Sequence, residues 1–354
     1  MRLNNLRGIK KLDEKNVAES IFNLTTQLET SYHQAKKINL PAEYLKVKNI
    51  VFCGMGGSNL ASEMIRDLFS SEIKLPFVLV RNYNLPAFTN KETLVIICSY
   101  SGNTVETVSC LNQATKKKAK IITISAGGKI KELAEKKSLI HFSLDAEYNP
   151  SGQPRYALGS QLGLTLAIFE KLKLIKLNSQ ELKQTLKLLL KFNYQLIPGV
   201  KLKSNPAKKF ASQLLNKNIY LIGAGHLGAN THILANQINE SAKQLAVPYK
   251  IPEFNHHFLE AFAYPKRVIK DSAVIFLYSN NYEPEIKKRF IATKKILDQK
   301  NIFNLTLKVP AINQLQEALT VLSLGGWIGF YLAMLNDSNP ADIYWVELFK
   351  KQLK

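Results

Sequence analysis

Short apolar runs alternate with helical stretches along the chain, and this alternation restricts the fold more than any other feature. In the first half, strands are predicted at residues 49–53, 77–80, 94–97, 121–124 and 139–142. Short strands rich in β-branched residues and separated by helices are typical of a parallel sheet with helices on both faces. We therefore expect an α/β fold in which functional loops follow the carboxyl ends of the strands.

The second half of the sequence repeats the pattern of the first. A strand at 218–222 leads into Gly223-Ala-Gly225, and another at 273–277 ends in Tyr278-Ser-Asn-Asn. These segments resemble those that follow Cys53 and Cys98, which indicates a divergent duplication. Turn-forming residues at 198–206 then suggest the domain boundary. The predicted organisation is an N-terminal helical segment (1–44), a first domain with a linker helix (45–200) and a second domain with a C-terminal helix (201–354).

Three helices have boundaries that can be predicted. Residues 11–37 carry a periodic apolar face and are predicted to form one helix. Asn178 is expected to cap a long helix, with Glu181 three residues later. Asn339 is expected to cap the final helix, with Pro340 at its first position.

Composition restricts the partners of the chain. Its 354 residues carry a formal net charge of +21, but the lysines are spread over many helices without an arginine-rich stripe or nucleic-acid-binding module. We therefore expect no nucleic-acid partner. The sequence shows neither a signal peptide nor an apolar run near the ~20 residues that span a bilayer. Three cysteines without metal-type spacing are expected to be buried and reduced, so the chain is predicted to be cytoplasmic.

The segment from Val95 to Glu106 predicts a phosphate site. An apolar strand ends in Ser99, Ser101, Gly102 and Thr104, and a helix follows. Hydroxyl groups, free backbone N–H groups and the helix dipole together favour a dianionic phosphate. The alternative is an ordinary hydroxyl cap on the helix. Three hydroxyls within six residues favour the phosphate site.

A competing pattern lies in the second half. Gly223, Gly225 and Gly228 form a G-x-G-x-x-G sequence between a strand and a helix, which by itself suggests dinucleotide binding. The acidic residue expected on the ribose is poorly matched, with Glu253 as an imperfect candidate. Glycines that permit tight packing of the strand against the helix are the alternative, and we expect no nicotinamide cofactor.

Five segments in order resemble the bifunctional phosphoglucose/phosphomannose isomerases. They are residues 54–58 (GMGGS), 99–106 (SYSGNTVE), 154–159 (PRYALG), 236–243 (NQINESAK) and 252–256 (PEFNH). The resemblance implies two sugar isomerase (SIS) domains, each a five-stranded parallel sheet in a flavodoxin-like three-layer sandwich. It also implies a homodimer with the active site at the subunit interface.

The resemblance further implies a reaction. The family interconverts glucose 6-phosphate and mannose 6-phosphate with fructose 6-phosphate through a cis-enediol, without metal or other cofactor. Glu240 matches the base that moves a proton between C2 and C1, with Glu253 or Glu260 as the next candidates. Arg155 matches the cation that stabilises the enediolate. For substrate binding, the phosphate ligands implied are Gly57, Ser58, Ser99, Ser101 and Thr104.

Ring opening involves a histidine and a lysine in the same family. His256 matches the histidine, although His257 replaces an asparagine that usually follows it. Lys350 is the expected lysine, and Lys351 is the alternative. A regulator that binds a sugar phosphate without turnover is the main non-enzyme alternative, and an NAD-dependent oxidoreductase is the third. Glu240 favours the enzyme, because simple binding would not need a base there.

Overall fold

The computed structural model of the chain describes residues 3–353. Within them lie nine β-strands, which are β1 (Asn49–Cys53), β2 (Phe77–Val80), β3 (Thr93–Cys98), β4 (Lys120–Ser125), β5 (Ile140–Ser143), β6 (Asn218–Gly223), β7 (Ala246–Lys250), β8 (Ser272–Leu277) and β9 (Asn304–Leu307). The same residues form fifteen α-helices, which are α1 (Leu6–Leu12), α2 (Val17–Phe22), α3 (Leu24–Lys37), α4 (Leu60–Leu68), α5 (Val105–Lys116), α6 (Gly128–Lys136), α7 (Leu158–Lys171), α8 (Ser179–Asn193), α9 (Pro206–Leu214), α10 (Gly228–Gln237), α11 (Phe254–His257), α12 (Val268–Asp271), α13 (Pro284–Gln299), α14 (Gln314–Leu335) and α15 (Tyr344–Gln352).

The chain divides into two compact units. The first unit is Asn23–Leu186, and the second combines Met1–Phe22 with Lys187–Lys354. The second unit therefore consists of two segments of the chain. The chain leaves this unit after Phe22 and returns to it at Lys187, within α8. The unit boundaries at 22/23 and 186/187 differ from the predicted domain boundaries at 44/45 and 200/201. The predicted domain boundaries stay a prediction.

The first unit contains a five-stranded parallel sheet in the order β2-β1-β3-β4-β5. Its central strand β3 is buried along its whole length, as its continuous apolar sequence predicts. β1 and β3 are neighbours, so the loops that follow Cys53 and Cys98 leave the same edge of the sheet. The parallel α/β fold and the alternation of strands with helices are confirmed.

The second unit contains a four-stranded parallel sheet in the order β7-β6-β8-β9. The prediction of five strands in each sheet is therefore wrong for this unit. In the first sheet, the chain passes from β4 through α6 to an edge strand, β5. After β9 the chain instead enters the 22-residue α14, which is followed only by α15 in the described part of the chain.

Two predicted helix boundaries are wrong. Residues 11–37 contain the end of α1 and two further helices, because the carboxylate of Asp13 accepts the backbone N–H groups of Val17 and Ala18 and begins a new helix. The final helix begins at Tyr344, since the side chain of Asn339 accepts the Ala341 N–H in a turn. The start of α8 is confirmed, with the side chain of Asn178 accepting two N–H groups of the first turn.

Helix α14 corrects the expectation about apolar runs. It has 22 residues, and its most apolar window has a mean hydropathy of 1.7, which by length and composition would allow it to cross a membrane. However, 94% of that window is buried inside the structure, as in the core helix of a folded domain. The three cysteines are also buried and unpaired, as predicted, and burial raises the pKa of Cys98 to about 12.

Candidate active site

The predicted phosphate site lies in the first unit, in the loop between β3 and α5. Ser99 Oγ and Thr104 Oγ1 are 2.9 Å apart, and the Asn103 N–H donates to Ser101 Oγ at 3.3 Å. Thr104 is the N-cap residue of α5, but within the described chain its side chain makes no capping hydrogen bond. The hydroxyl of Thr104 therefore faces Ser99 rather than the first turn of the helix. The alternative of an ordinary hydroxyl cap is not what the structure shows.

A second loop joins the first one at the same edge of the sheet. Gly57 and Ser58 lie in a short 3-10 helix, Gly56–Asn59, that follows β1. The buried Ser58 hydroxyl accepts the backbone N–H of Tyr100 at 3.0 Å, so the two strand-end loops are hydrogen-bonded to each other. The structure thus brings together two loops whose hydroxyl-bearing residues are 41 to 46 positions apart in the sequence.

The backbone shape of the loop after β3 depends on Gly102. Its φ is +70°, in the left-handed region that glycine adopts without steric cost. A Cβ atom at this position would lie 1.8 Å from the carbonyl oxygen of Gly127, in the loop that follows β4. The hydroxyl-bearing loop is therefore held against the next loop by a contact that only glycine permits.

Arg155 lies beside these loops. It is 1% exposed, and its guanidinium donates to Gln153 Oε1 at 2.9 Å and lies 5.2 Å from the centre of the Tyr156 ring. A Cβ atom on Gly57 would be 3.0 Å from the Arg155 backbone nitrogen, so the two segments are in close contact. The first unit therefore holds the backbone of Arg155 against Gly57 and buries its guanidinium beside Gln153 and Tyr156.

Asn149 and Gln153, which connect Arg155 to the loop after β3, were not predicted from the sequence. The Asn149 side chain donates to the Tyr100 hydroxyl at 3.0 Å and to the carbonyl of Gln153 at 3.1 Å. Tyr100 stands within the predicted loop, so its position was a signal that could have been used. Asn149 and Gln153 carried no such signal, because their role depends on the packing of a turn about 50 residues away.

Glu240 lies in the second unit, in a π-helical turn, Ile238–Ala242, that follows α10. The side chain is half-buried, and the neighbouring residues Ser241 and Ala242 are buried. Single π turns within helices occur frequently at functional sites. The unusual backbone at Glu240 therefore supports a functional role for this residue more than its sequence position alone did.

The two histidines follow Glu253 on the short helix α11. Phe254 is fully buried, and Phe258, which follows the helix, packs against Tyr249 with ring centres 4.0 Å apart. His256 and His257 are both exposed. His257 Nε2 lies 3.4 Å from Glu253 Oε1, so this histidine is next to an acidic partner. An aromatic cluster thus anchors the segment and leaves both imidazole rings accessible.

Lys350 and Lys351 lie on the C-terminal helix α15, and both are exposed. None of the described residues of this helix is buried. Glu260, the other acidic alternative, is also exposed, in a 3-10 helix, Phe258–Ala263. The choice between the two lysines and between the two histidines stays a prediction.

One backbone donor of the G-x-G-x-x-G segment is occupied by a side chain of the second unit. The N–H of Ala224, which follows Gly223, donates to the Tyr282 hydroxyl at 3.2 Å, and that hydroxyl donates to the Leu277 carbonyl. Gly225 and Gly228 begin a short 3-10 helix and α10, respectively. In the first unit, the loop after β1 directs the Ser58 hydroxyl towards the loop after β3. In the second unit, the loop after β6 instead has its Ala224 N–H bonded to Tyr282.

A buried carboxylate fills the same strand-end region of the second unit. Glu317 Oε2 accepts from Ser279 Oγ and from Asn281 Nδ2 at 3.2 Å, and it lies 2.9 Å from His226 Nε2. Burial raises the pKa of Glu317, but the hydrogen bonds from its three partners outweigh burial and leave this pKa below its ordinary value. Sequence reasoning missed this group, because Glu317 lies on α14, far along the chain from its partners.

Among residues 3–353, no group of three or more His, Cys, Asp or Glu side chains is arranged to hold a metal ion.

Comparison with known proteins identifies both halves of the chain. Residues 43–170 match the SIS domain, and residues 203–353 match the bacterial phospho-glucose isomerase C-terminal SIS domain. A structure of a hypothetical protein from Thermus thermophilus has a TM-score of 0.76 at 17% identity, covering 98% of this chain and 93% of its own. A tagatose-6-phosphate ketose/aldose isomerase from Escherichia coli gives 0.65 at 14% identity, covering 95% of each chain. These similarities show the fold.

Curated relatives extend the similarity to nearly the whole sequence. The bifunctional phosphoglucose/phosphomannose isomerase of Caldicellulosiruptor bescii is 31% identical over 95% of this chain and 98% of its own length. The enzyme of the same name from Aquifex aeolicus is 28% identical over 92% and 97%. The chain therefore belongs to the bifunctional phosphoglucose/phosphomannose isomerase family.

Proposed function

We propose that this protein is an aldose–ketose isomerase that interconverts glucose 6-phosphate and mannose 6-phosphate with fructose 6-phosphate. The observation that carries the proposal is the arrangement in the first unit. Ser99 and Thr104 are in contact at the carboxyl end of the sheet, and Ser58 is bonded to the backbone of the same loop. The buried Arg155 lies in the segment that contacts Gly57. Hydroxyl donors and a fixed cation suit a phosphorylated substrate that acquires negative charge during the reaction.

The phosphate would be bound by Ser58, Ser99, Ser101 and Thr104, with the backbone at Gly57 and the first turn of α5 as further donors. An anion at a helix N-terminus is stabilised by the free N–H groups and by the helix dipole. Binding this distant end of the sugar orients C1 and C2 for proton transfer.

In the proposed reaction, Glu240 removes the proton from C2 of the open-chain aldose and returns it to C1. The electron pair of the broken C–H bond forms the C1–C2 double bond of the enediolate, and the carbonyl oxygen takes the negative charge. Arg155 would stabilise that charge without losing its own proton, because an arginine stays protonated. A proton then moves between the two oxygens, and protonation at C1 completes the ketose.

Ring opening would use His256 with Lys350, and His257 and Lys351 are the alternatives. An imidazole has one nitrogen that can donate a proton and one that can accept a proton, so it can serve both the ring oxygen and the hydroxyl group. Both histidines are exposed. This agrees with an active site that is completed when the second subunit of the proposed homodimer covers them.

We propose that the protein is a homodimer, and α15 supports this proposal. Trp345 and Phe349 lie four residues apart on one face of the helix, and Leu353 follows as its C-cap residue; they are 76%, 61% and 68% exposed. An exposed apolar face of this kind marks an interaction surface. Sedimentation equilibrium should give a dimer for the wild type and a monomer for Trp345→Glu with Phe349→Glu; a monomeric wild type would contradict the proposal.

The buried, unpaired cysteines agree with the proposed cytoplasmic location.

The test of the function is the isomerisation itself, followed as incorporation of solvent deuterium at C2 of the sugar phosphate. We expect the wild type to exchange this proton and to interconvert all three substrates. Glu240→Gln keeps the size of the side chain but cannot accept the proton, so we expect substrate binding to be unchanged and turnover to fall by about 10⁴-fold.

Two results would contradict this proposal in different ways. Binding of sugar phosphates by the wild type without any turnover would identify a regulator instead of an enzyme. Exchange by Glu240→Gln at a rate near that of the wild type would show that another group is the base, and Glu253→Gln and Glu260→Gln would then be compared. Both alternatives are on the segment that carries the histidines.

A further inference from the structure

The π turn that carries Glu240 is an unusual backbone conformation that needs support from outside itself. It follows α10 directly and ends at Lys243, which has a left-handed φ of +53°. π helices are rare and are found mostly as single turns. The side chains that hold this turn therefore decide where the carboxylate of Glu240 is placed.

Asn239, the residue before Glu240, is hydrogen-bonded to one backbone position through both ends of its amide. Its Nδ2 donates to the Ala246 carbonyl at 2.9 Å, and its Oδ1 accepts the Ala246 N–H at 2.8 Å. This reciprocal pair joins two residues seven positions apart and spans the three-residue connection, 243–245, between the π turn and β7. Because both bonds meet at one residue, the amide group of Asn239 is fixed in position and in orientation.

The position of Ala246 explains why this pairing is available. β7 is an edge strand that pairs only with β6 within the sheet, and the Ile219 N–H of β6 donates to the carbonyl of Leu245. In a parallel pair, adjacent residues direct their peptide groups to opposite sides, so those of Ala246 face the open edge. The amide of Asn239 thus occupies the place that a neighbouring strand would take.

A second contact holds the other end of the π turn. Nδ2 of Asn336, which follows α14, donates to the carbonyl of Ala242 at 2.9 Å and to Gln244 Oε1 at 3.1 Å. Glu240 therefore lies between two attached residues. Asn239 is hydrogen-bonded to β7, and Ala242 is hydrogen-bonded to Asn336, which follows α14. All of these residues belong to the second unit.

We infer that Asn239 is a positioning residue for Glu240: its paired hydrogen bonds to Ala246 hold the π turn in the conformation that places the carboxylate for proton transfer. This inference rests on the proposed role of Glu240 as the base. A displacement of about 1 Å can lower the rate of a catalysed step by about 10²-fold. Loss of the pair should therefore reduce kcat, while the affinity for the phosphate group, bound in the first unit, stays the same.

The experiment compares Asn239→Ala with Asn304→Ala in the full-length protein. Asn304 is a matched control in the same unit, because its side-chain amide is also hydrogen-bonded, with Nδ2 donating to Asp298 Oδ1 and to the Ile302 carbonyl. For each variant, kcat and KM are measured with fructose 6-phosphate, deuterium exchange is measured at C2 of glucose 6-phosphate, and folding is checked by thermal unfolding. We expect Asn239→Ala to lower kcat and exchange by about 10- to 100-fold with KM within twofold, and Asn304→Ala to change neither.

Asn336→Ala supplies an independent test from the other end of the turn and covers the case in which Asn239→Ala folds poorly. It should also lower kcat at unchanged KM, and the double variant should lose less than the product of the two single effects, since both act on one turn. A kcat of Asn239→Ala or Asn336→Ala that matches Asn304→Ala would overturn the inference.

Glu240→Gln in the same assay separates the two proposals. If Glu240→Gln loses exchange while Asn239→Ala keeps the wild-type kcat, only the positioning role is wrong. If Glu240→Gln still exchanges, Glu240 is not the base, and the positioning role is overturned with it.

Discussion

Replacing Gly102 by alanine should test whether the strand-end loop is held in place by its contact with the loop after β4. Gly102 has a φ of +70°, and a Cβ atom there would lie 1.8 Å from the Gly127 carbonyl oxygen. A left-handed conformation costs an alanine about 1–2 kcal/mol. Forcing a methyl group into a packed contact costs about 1–3 kcal/mol more. Gly102→Ala should therefore lower the free energy of unfolding by about 2–5 kcal/mol.

Gly152→Ala is the matched control. Gly152 has a φ of +65° in the same unit, but nothing lies within 4 Å of its added Cβ atom. This variant should lose only the conformational cost of about 1–2 kcal/mol. The loss of unfolded-state entropy that accompanies a change from glycine to alanine is the same for both. The difference between the two variants therefore measures the steric contact alone.

Urea unfolding and steady-state kinetics check the prediction together. An ordinary contact between a carbon and a carbonyl oxygen is about 3.3 Å, so the loop must move by roughly 1.5 Å, and the hydroxyls of Ser99, Ser101 and Thr104 move with it. We expect KM for fructose 6-phosphate to rise at least 10-fold in Gly102→Ala and to change less than twofold in Gly152→Ala. Equal losses of stability in the two variants would refute the reasoning, since the contact with Gly127 would then be without consequence.

Three further predictions follow from the site. Replacing Ser101 and Thr104 together by alanine should raise KM at least 100-fold, because each hydrogen bond to a charged group contributes about 1.5–3 kcal/mol; an unchanged KM would remove the hydroxyls from the phosphate site. Glu317→Gln should lower the free energy of unfolding by about 1.5–3 kcal/mol near neutral pH. The pKa of Glu317 is lowered from 4.5 in the folded protein, so this contribution is complete above 4.5 and disappears as the pH falls through the folded pKa; a pH-independent difference would contradict it. Isomerase activity should be unchanged after treatment with EDTA, because acid–base side chains carry the proposed steps; restoration of lost activity by a divalent ion would contradict this.

The sequence by itself determined the fold class, and it supplied the residues of the candidate site as predictions. Alternating apolar strands and helices can bury their apolar faces only as parallel sheets covered by helices, and the loops after Cys53 and Cys98 then meet at one edge. The phosphate residues were predicted from a hydroxyl-rich loop between a strand and a helix, for which an ordinary helix cap was the alternative. Glu240 was predicted from the resemblance of its segment to the isomerase family. Local periodicity could not predict the interruption of residues 11–37, where the Asp13 carboxylate competes for backbone N–H groups.

Only the tertiary structure decided the relations between groups that are distant along the chain. The burial of Arg155, the attachment of Asn239 to Ala246 and the carboxylate of Glu317 beside His226 all depend on which elements pack together. The same holds for the number of strands in the second sheet and for the burial of α14, whose composition also suits a membrane. The physical reason is that periodicity reports the environment of a single element, whereas hydrogen bonds and close packing are formed between elements brought together by the fold.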